Sequence, residues 1–157
     1  MSYYIRAFCR SERSPAFSEL QEYIGGKNPH YRLEGEVDGN NSYWTDFIFH
    51  YKEGKLPILV EISWCEDDSS LGKEELEGFL EAIGSPGFSL RKRKVINHLK
   101  QTKYIICCQI PVSDVDDDGF LANQQLMAFF VIKYQGLIHV ENEGFYARNL
   151  AIHLKGL

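Results

Sequence analysis

The sequence contains little of what marks specialised protein classes. Its 157 residues include only four cysteines, with no C-x-x-C pair and no zinc-ligand spacing, so we predict reduced thiols. The longest apolar run, residues 126–132, covers seven positions, against the roughly 20 that a membrane span needs. The first residues lack the apolar segment of a signal peptide. These absences predict a cytoplasmic protein that does not associate with membranes.

Motifs with a defined chemistry are also missing. The sequence has no G-x-x-x-x-G-K-[ST], G-x-G-x-x-G, H-E-x-x-H or G-x-S-x-G pattern. Its five histidines are scattered, and none is paired with another four positions along. We therefore predict no cofactor, and no catalytic machinery of these common kinds.

The composition is that of a folded domain with an acidic balance. Hydrophobic residues make up 44% and charged residues 25% of the chain, which excludes wholesale disorder and fibrous repeats. A chain of about 150 residues can bury one proper core, and no linker appears, so residues 1–157 are predicted to form a single globular domain. The formal charge of −5 makes nucleic acid an unlikely partner.

Hydrophobic periodicity predicts an α+β fold. Apolar and alternating runs indicate strands, helical spacing indicates four helices, and Asp38–Asn41 indicates a turn. A ferredoxin-like or related α/β sandwich, with a mixed or antiparallel sheet and helices mainly on one face, is the predicted arrangement. Strands are predicted over residues 3–9, 31–37, 44–51, 56–64, 104–112, 137–140 and 145–154, and helices from residue 17 to Gly25-Gly26 and over 71–83, 90–103 and 120–134.

The central hairpin offers one candidate catalytic cluster. A two-residue turn at Glu53-Gly54 places Asp46 opposite Glu61, with His50 on the same polar face. Two facing carboxylates can raise the pKa of one of them, and a nearby histidine can act as a base. This pattern predicts a small hydrolase or isomerase using Asp46, His50 and Glu61. The alternative is that the face is simply the solvated side of a half-buried sheet.

Acidic residues concentrate in two loops, Glu66–Asp68 and Asp114–Asp118. The second satisfies D-x-D-x-D-G, so Asp114, Asp116 and Asp118 could ligate calcium, although a neutral Gln125 stands where the bidentate glutamate belongs. The alternative is that Asp118 caps the helix that follows. A basic run at Arg91–Lys94 follows the acidic residues around the preceding helix, and mutual neutralisation or plain solvation of the two helices is expected.

The segment from Tyr134 to Tyr146, YQGLIHVENEGFY, is similar to the ending of small uncharacterised bacterial α+β proteins. The predicted architecture also resembles some immunity proteins of bacterial toxin systems, which implies a compact, acidic, non-enzymatic binder. The resemblance covers about a tenth of the chain, and it assigns no functional residue.

The leading hypothesis is a protein-binding module, of the immunity or regulatory type, that acts through an acidic surface. Its predicted partner is another protein, and an exposed edge strand makes a dimer conceivable. The predicted partner-binding residues are Glu66, Asp67, Asp68, Asp116 and Asp117.

Overall fold

A computed structural model describes residues 1–37 and 43–146 in full, together with the backbone of residues 152–155. Within these residues the chain forms eight strands and four helices. The strands are β1 (Ser2–Cys9), β2 (Arg32–Glu34), β3 (Asp46–His50), β4 (Ile58–Trp64), β5 (Tyr104–Pro111), β6 (Gly136–Val140), β7 (Gly144–Tyr146) and β8 (Ile152–Lys155). The helices are α1 (Phe17–Lys27), α2 (Leu71–Ile83), α3 (Leu90–Lys100) and α4 (Asp117–Lys133).

The described strands form one sheet in the order β2-β3-β4-β5-β1-β6-β7-β8, and each neighbouring pair is antiparallel. β5 is an interior strand, as its run of apolar residues on both faces predicts. The α+β class is confirmed.

Helices cover both faces of the sheet. On one face, Ile5, Ala7 and Cys9 of β1 contribute to a core completed by α1 and α4, which we name the α1/α4 core. On the other face, Phe8 of β1 and Ile105 of β5 contribute to a core completed by α2 and α3, the α2/α3 core. Successive strand residues point to opposite faces, and both faces of β1 and β5 are apolar. The prediction of helices mainly on one face is therefore wrong, and the ferredoxin-like arrangement is not confirmed.

The register of the central hairpin is as predicted. Asp46 is paired with Glu61, and Phe49 with Ile58. Phe49 and Ile58 point into the α1/α4 core, so the polar residues of both strands point to the opposite face.

The ends of two helices differ from the prediction. α1 continues through Gly25-Gly26 to Lys27, where the N–H of Asn28 closes the helix on the carbonyl of Ile24. α3 stops at Lys100, since the N–H of Lys103 donates to the carbonyl of Cys9 in β1.

The strands at the two edges of the sheet also differ from the prediction. β2 is only three residues long, and the last edge strand is divided into β7 and β8. The turn predicted at Asp38–Asn41 and residues 147–151 of the predicted last strand lie outside the described residues.

Candidate functional site

The acidic loop before α4 is held by two lysines from the β3–β4 turn. Nζ of Lys52 lies 3.1 Å from Oδ2 of Asp116 and 2.8 Å from Oδ2 of Asp118. Nζ of Lys55 lies 3.7 Å from Oδ1 of Asp114. The other oxygen of Asp114 accepts a hydrogen bond from the N–H of Leu56. Three of the four aspartates of the loop are thus paired with lysines of the chain.

Asp116, and not Asp118, caps α4. Its Oδ1 accepts a hydrogen bond of 3.1 Å from the N–H of Gly119. The prediction that Asp118 is the cap was wrong by two residues, because the segment offers four aspartates that are all competent caps and the helix begins at Asp117. The ammonium of Lys52 and the N–H of Gly119 lower the pKa of Asp116, and the two carboxylates raise the pKa of Lys52.

The three candidate calcium ligands therefore have other partners. Asp114, Asp116 and Asp118 each contact a lysine. Asp114 also accepts a hydrogen bond from the N–H of Leu56, and Asp116 accepts one from the N–H of Gly119. Among the described residues, no group of three or more histidine, cysteine, aspartate or glutamate side chains is arranged to hold a metal ion.

The candidate catalytic cluster is not brought together. Asp46 and Glu61 are paired across the strands, but Nε2 of His50 lies 2.7 Å from Oε2 of Glu34 on β2. Four residues along a strand separate His50 from Asp46 by about 13 Å. Asp46 instead accepts a hydrogen bond of 3.0 Å from the hydroxyl of Thr45. The structure therefore contains two separate groups on this face. One is the His50–Glu34 pair, and the other is Asp46 opposite Glu61.

The two acidic loops lie at opposite ends of the sheet. Glu66–Asp68 follows the end of β4, where Trp64 is paired with Tyr104 at the start of β5. Asp114–Asp118 follows the other end of β5. The length of β5 separates them by roughly 23 Å, so the predicted partner-binding residues do not form one patch. Asp117 is exposed at the far end, beside the capping Asp116.

A larger group of carboxylates surrounds the first loop. α2 presents Glu74, Glu77 and Glu81 to solvent at helical spacing, directly after the loop Glu66–Asp68. None of these side chains forms an ion pair with another described residue. We name this set the acidic surface; it consists of Glu66, Asp67, Asp68, Glu74, Glu77 and Glu81.

The neighbouring basic helix does not neutralise the acidic surface. α3 packs beside α2 through Val95 and Ile96 and exposes Arg91, Arg93 and Lys94. No ion pair among the described residues joins the two helices. The predicted mutual neutralisation is not found as direct contacts, and both charged faces remain solvated.

Large apolar side chains flank the acidic surface. Leu71 at the start of α2 is 80% exposed, and Phe88 and Leu90 after its end are 102% and 72% exposed. Isolated exposed leucines are common on proteins. A fully exposed phenylalanine two residues from an exposed leucine, as Phe88 is from Leu90, is a stronger sign of a binding surface.

Local sequence fixes the orientation of α2. Ser70 caps the helix by accepting a hydrogen bond from the N–H of Lys73. Gly72 lets the first turn approach β4, because a Cβ there would lie 2.5 Å from the carbonyl oxygen of Trp64. Glu75 forms an ion pair with Arg6 of β1. The glutamates at positions 74, 77 and 81 consequently face away from the sheet.

The cysteine thiols lie in or beside the cores and are not activated. Burial raises the pKa of Cys107 to about 12 and of Cys65 to about 11, and it also raises the pKa of Cys9 and Cys108. All four are free. No thiolate nucleophile is available near neutral pH.

The sequence prediction missed the α2 glutamates and the flanking apolar residues. Positions 74, 77 and 81 share a helix face opposite the buried Leu76 and Ile83, so the helical period could have identified them. The exposure of Phe88 carries no such local signal, since an apolar residue after a Gly-Ser-Pro-Gly break can equally pack inward.

No protein-family model, curated protein or solved structure matches the chain. Among the helices in the described residues, none has the length and apolar character needed to cross a lipid bilayer.

Proposed function

We propose that the protein is a non-enzymatic protein-binding module, of the immunity or regulatory type, and that it binds through the acidic surface. The observation that carries the proposal is a run of six exposed carboxylates without an ion-pair partner among the described residues, next to exposed Leu71, Phe88 and Leu90. The Asp114–Asp118 loop is not part of this surface, because it lies at the other end of β5 and Lys52 and Lys55 engage three of its four aspartates.

Charge and apolar groups have different roles in such an interface. Clustered carboxylates speed the approach of a basic partner and reject acidic ones. Apolar anchors that become buried supply most of the binding free energy. A partner that fits this surface therefore presents lysines and arginines around an apolar depression.

A second copy of the chain is one protein with such chemistry. The exposed face of α3 carries Arg91, Arg93 and Lys94, which complement the glutamates of α2 in charge. Sedimentation at low and moderate salt separates this case from a foreign partner: a dimer that dissociates as salt rises identifies self-association.

The test is affinity capture followed by measurement of Kd with charge-reversal variants. Glu77→Lys places a positive charge in the acidic surface, and Glu22→Lys makes the same change on the exposed face of α1, far from it. We expect Glu77→Lys to weaken binding about tenfold or more, because like charges facing each other across an interface cost several kcal/mol. Glu22→Lys should leave Kd within about twofold, since distant exposed charges are screened.

Two further variants assign the surface. Phe88→Ala should leave the association rate constant nearly unchanged and should raise the dissociation rate constant, because it removes an apolar anchor without changing charge. Asp117→Lys alters the other acidic loop. Equal weakening by Asp117→Lys and Glu77→Lys would contradict the assignment to the acidic surface.

A further inference from the structure

A cavity of about 470 Å³ lies between α4 and the sheet on the α1/α4 side. Its walls are apolar and include Ile5 of β1, Met127 and Val131 of α4, and Ile138 and Val140 of β6. The volume falls in the range of small-molecule sites, which are apolar pockets with a few placed polar groups. The cavity is distant in the fold from α2, whose helix packs on the opposite face.

One polar side chain in this cavity has an unsatisfied hydrogen-bonding atom. Asn123 of α4 is only 3% exposed, lines the cavity, and its Oδ1 has no hydrogen-bond partner. Leaving a buried acceptor unpaired costs about 1–3 kcal/mol. A single water molecule could bond to the amide, but it would not fill an apolar space of this size. The atom therefore points to a ligand that carries a hydrogen-bond donor.

The charged group at the mouth has the matching polarity. Glu143, in the turn between β6 and β7, also lines the cavity. Its Oε1 accepts a hydrogen bond of 3.2 Å from the Tyr3 hydroxyl, and its Oε2 accepts one from the Tyr146 hydroxyl. Burial and the Glu143 carboxylate raise the pKa of Tyr3 to about 12, so both tyrosines stay protonated donors at neutral pH. The mouth thus holds one fixed negative charge beside an aromatic ring, a combination that favours a cation.

We propose that this cavity binds a small organic cation with an apolar body, whose N–H groups donate to Oδ1 of Asn123 and to the carboxylate of Glu143. Both polar groups are acceptors, and the side chain that carries a charge among those lining the cavity is Glu143. An anion of the same shape would be repelled by the Glu143 carboxylate. A neutral molecule of the same shape would form no ion pair with Glu143.

The probes are tryptamine, the anion indole-3-propionate and the neutral 3-ethylindole, three molecules with one apolar body. Binding is measured by calorimetry and located through the amide resonances of Met127, Val131 and Ile138. We expect tryptamine to bind at least about tenfold more tightly than either isostere, since a hydrogen bond to a charged group contributes roughly 1.5–3 kcal/mol. Equal affinity for tryptamine and indole-3-propionate, or no shift of these resonances with tryptamine, overturns the proposal.

Variants test each contact separately. Glu143→Gln keeps an acceptor for the tyrosines on the exposed turn but removes the charge, and it should reduce the preference for tryptamine over 3-ethylindole about tenfold or more, leaving the part that Asn123 supplies. Glu141→Gln is its control, because Glu141 accepts from the N–H of Tyr4 and does not line the cavity. A preference that is undiminished in Glu143→Gln contradicts the assigned role of the carboxylate.

The buried contact requires a variant that folds. Asn123→Leu removes the amide at similar volume, and it should weaken tryptamine about three- to tenfold with little change for 3-ethylindole. Ala128→Trp fills the cavity from α4 and should abolish the binding of both. If either variant unfolds, the Glu143→Gln comparison still decides the proposal. Binding of tryptamine that is unchanged in folded Ala128→Trp places the probe elsewhere and overturns the site.

Discussion

The ammonium group of Lys52 lies 3.1 Å from the carboxylate of Asp116, the residue that caps α4. This contact links the β3–β4 turn to the start of the longest described helix. Asp116 therefore has two tasks, since one oxygen accepts from the Gly119 N–H while the other faces the lysine. The acidic segment with the calcium-loop pattern instead joins two elements of the chain.

The first prediction concerns pH. The pKa of Asp116 is lowered from its ordinary value of 3.8 in the fold, so its contribution to stability is present above that value and is lost as pH falls through the folded-state pKa. Lys52→Met should raise the pKa of Asp116 and reduce the loss of stability on acidification below about pH 4. Carboxyl NMR titration and urea midpoints at pH 7 and pH 3 measure both effects. Lys100→Met, at an exposed position at the end of α3, should change neither.

The second prediction compares two glycines of α2. A Cβ on Gly72 would lie 2.5 Å from the Trp64 carbonyl oxygen, whereas one on Gly78 meets nothing within 4 Å. Gly72→Ala should lower the free energy of unfolding by about 1–3 kcal/mol through overpacking. Gly78→Ala should raise it by about 0.5–1 kcal/mol through helix propensity. Urea denaturation measures both, and equal effects would show that α2 does not approach β4 closely.

The third prediction concerns thiol reactivity. Burial raises the pKa of every cysteine, least so for the half-buried Cys65, whose pKa is about 11. Alkylation at pH 8 should be slow in the folded protein, with Cys65 labelled first, and fast for all four thiols in urea. Mass spectrometry of labelled peptides gives the order. Rapid labelling of Cys9 or Cys108 without denaturant would contradict the described cores.

The fourth prediction tests the position of the helices. Phe8 is fully buried in the α2/α3 core, beside Phe79 and Phe145. Phe8→Ala should lower the free energy of unfolding by about 3–5 kcal/mol. Leu59→Ala, on a strand residue that is 45% exposed, should lower it by about 1 kcal/mol or less. If all helices were on the other face, the two substitutions would cost the same.

Part of this structure follows from local sequence. The apolar alternation in β3 and β4, with a short turn between them, determines that Asp46 faces Glu61. The bounds of α2 were predicted as observed, because Ser70 caps its start and Gly84 ends it. The residues of β5 are apolar on both faces, and this pattern indicates that both faces of the sheet are covered.

The candidate sites depend on contacts that local patterns do not encode. His50 binds Glu34 because β2 lies beside β3, and no short-range pattern sets that pairing. Lys52 contacts Asp116 and Asp118, although α2, α3 and β5 all lie between these residues in the sequence. The unpaired oxygen of Asn123 is visible only once α4 has been packed on the sheet.

The position of β1 has a consequence for how the chain reaches its fold. Its two neighbours in the sheet are β5 and β6, which begin at Tyr104 and Gly136. β1 is the earliest of the described strands in the chain, and neither of its edges can be paired until the chain has been extended to Tyr104. Contacts of such long sequence separation slow folding, because a large loop must close first. During that interval the apolar side chains of β1 are exposed, and an early encounter with a chaperone or a second nascent chain competes with native pairing.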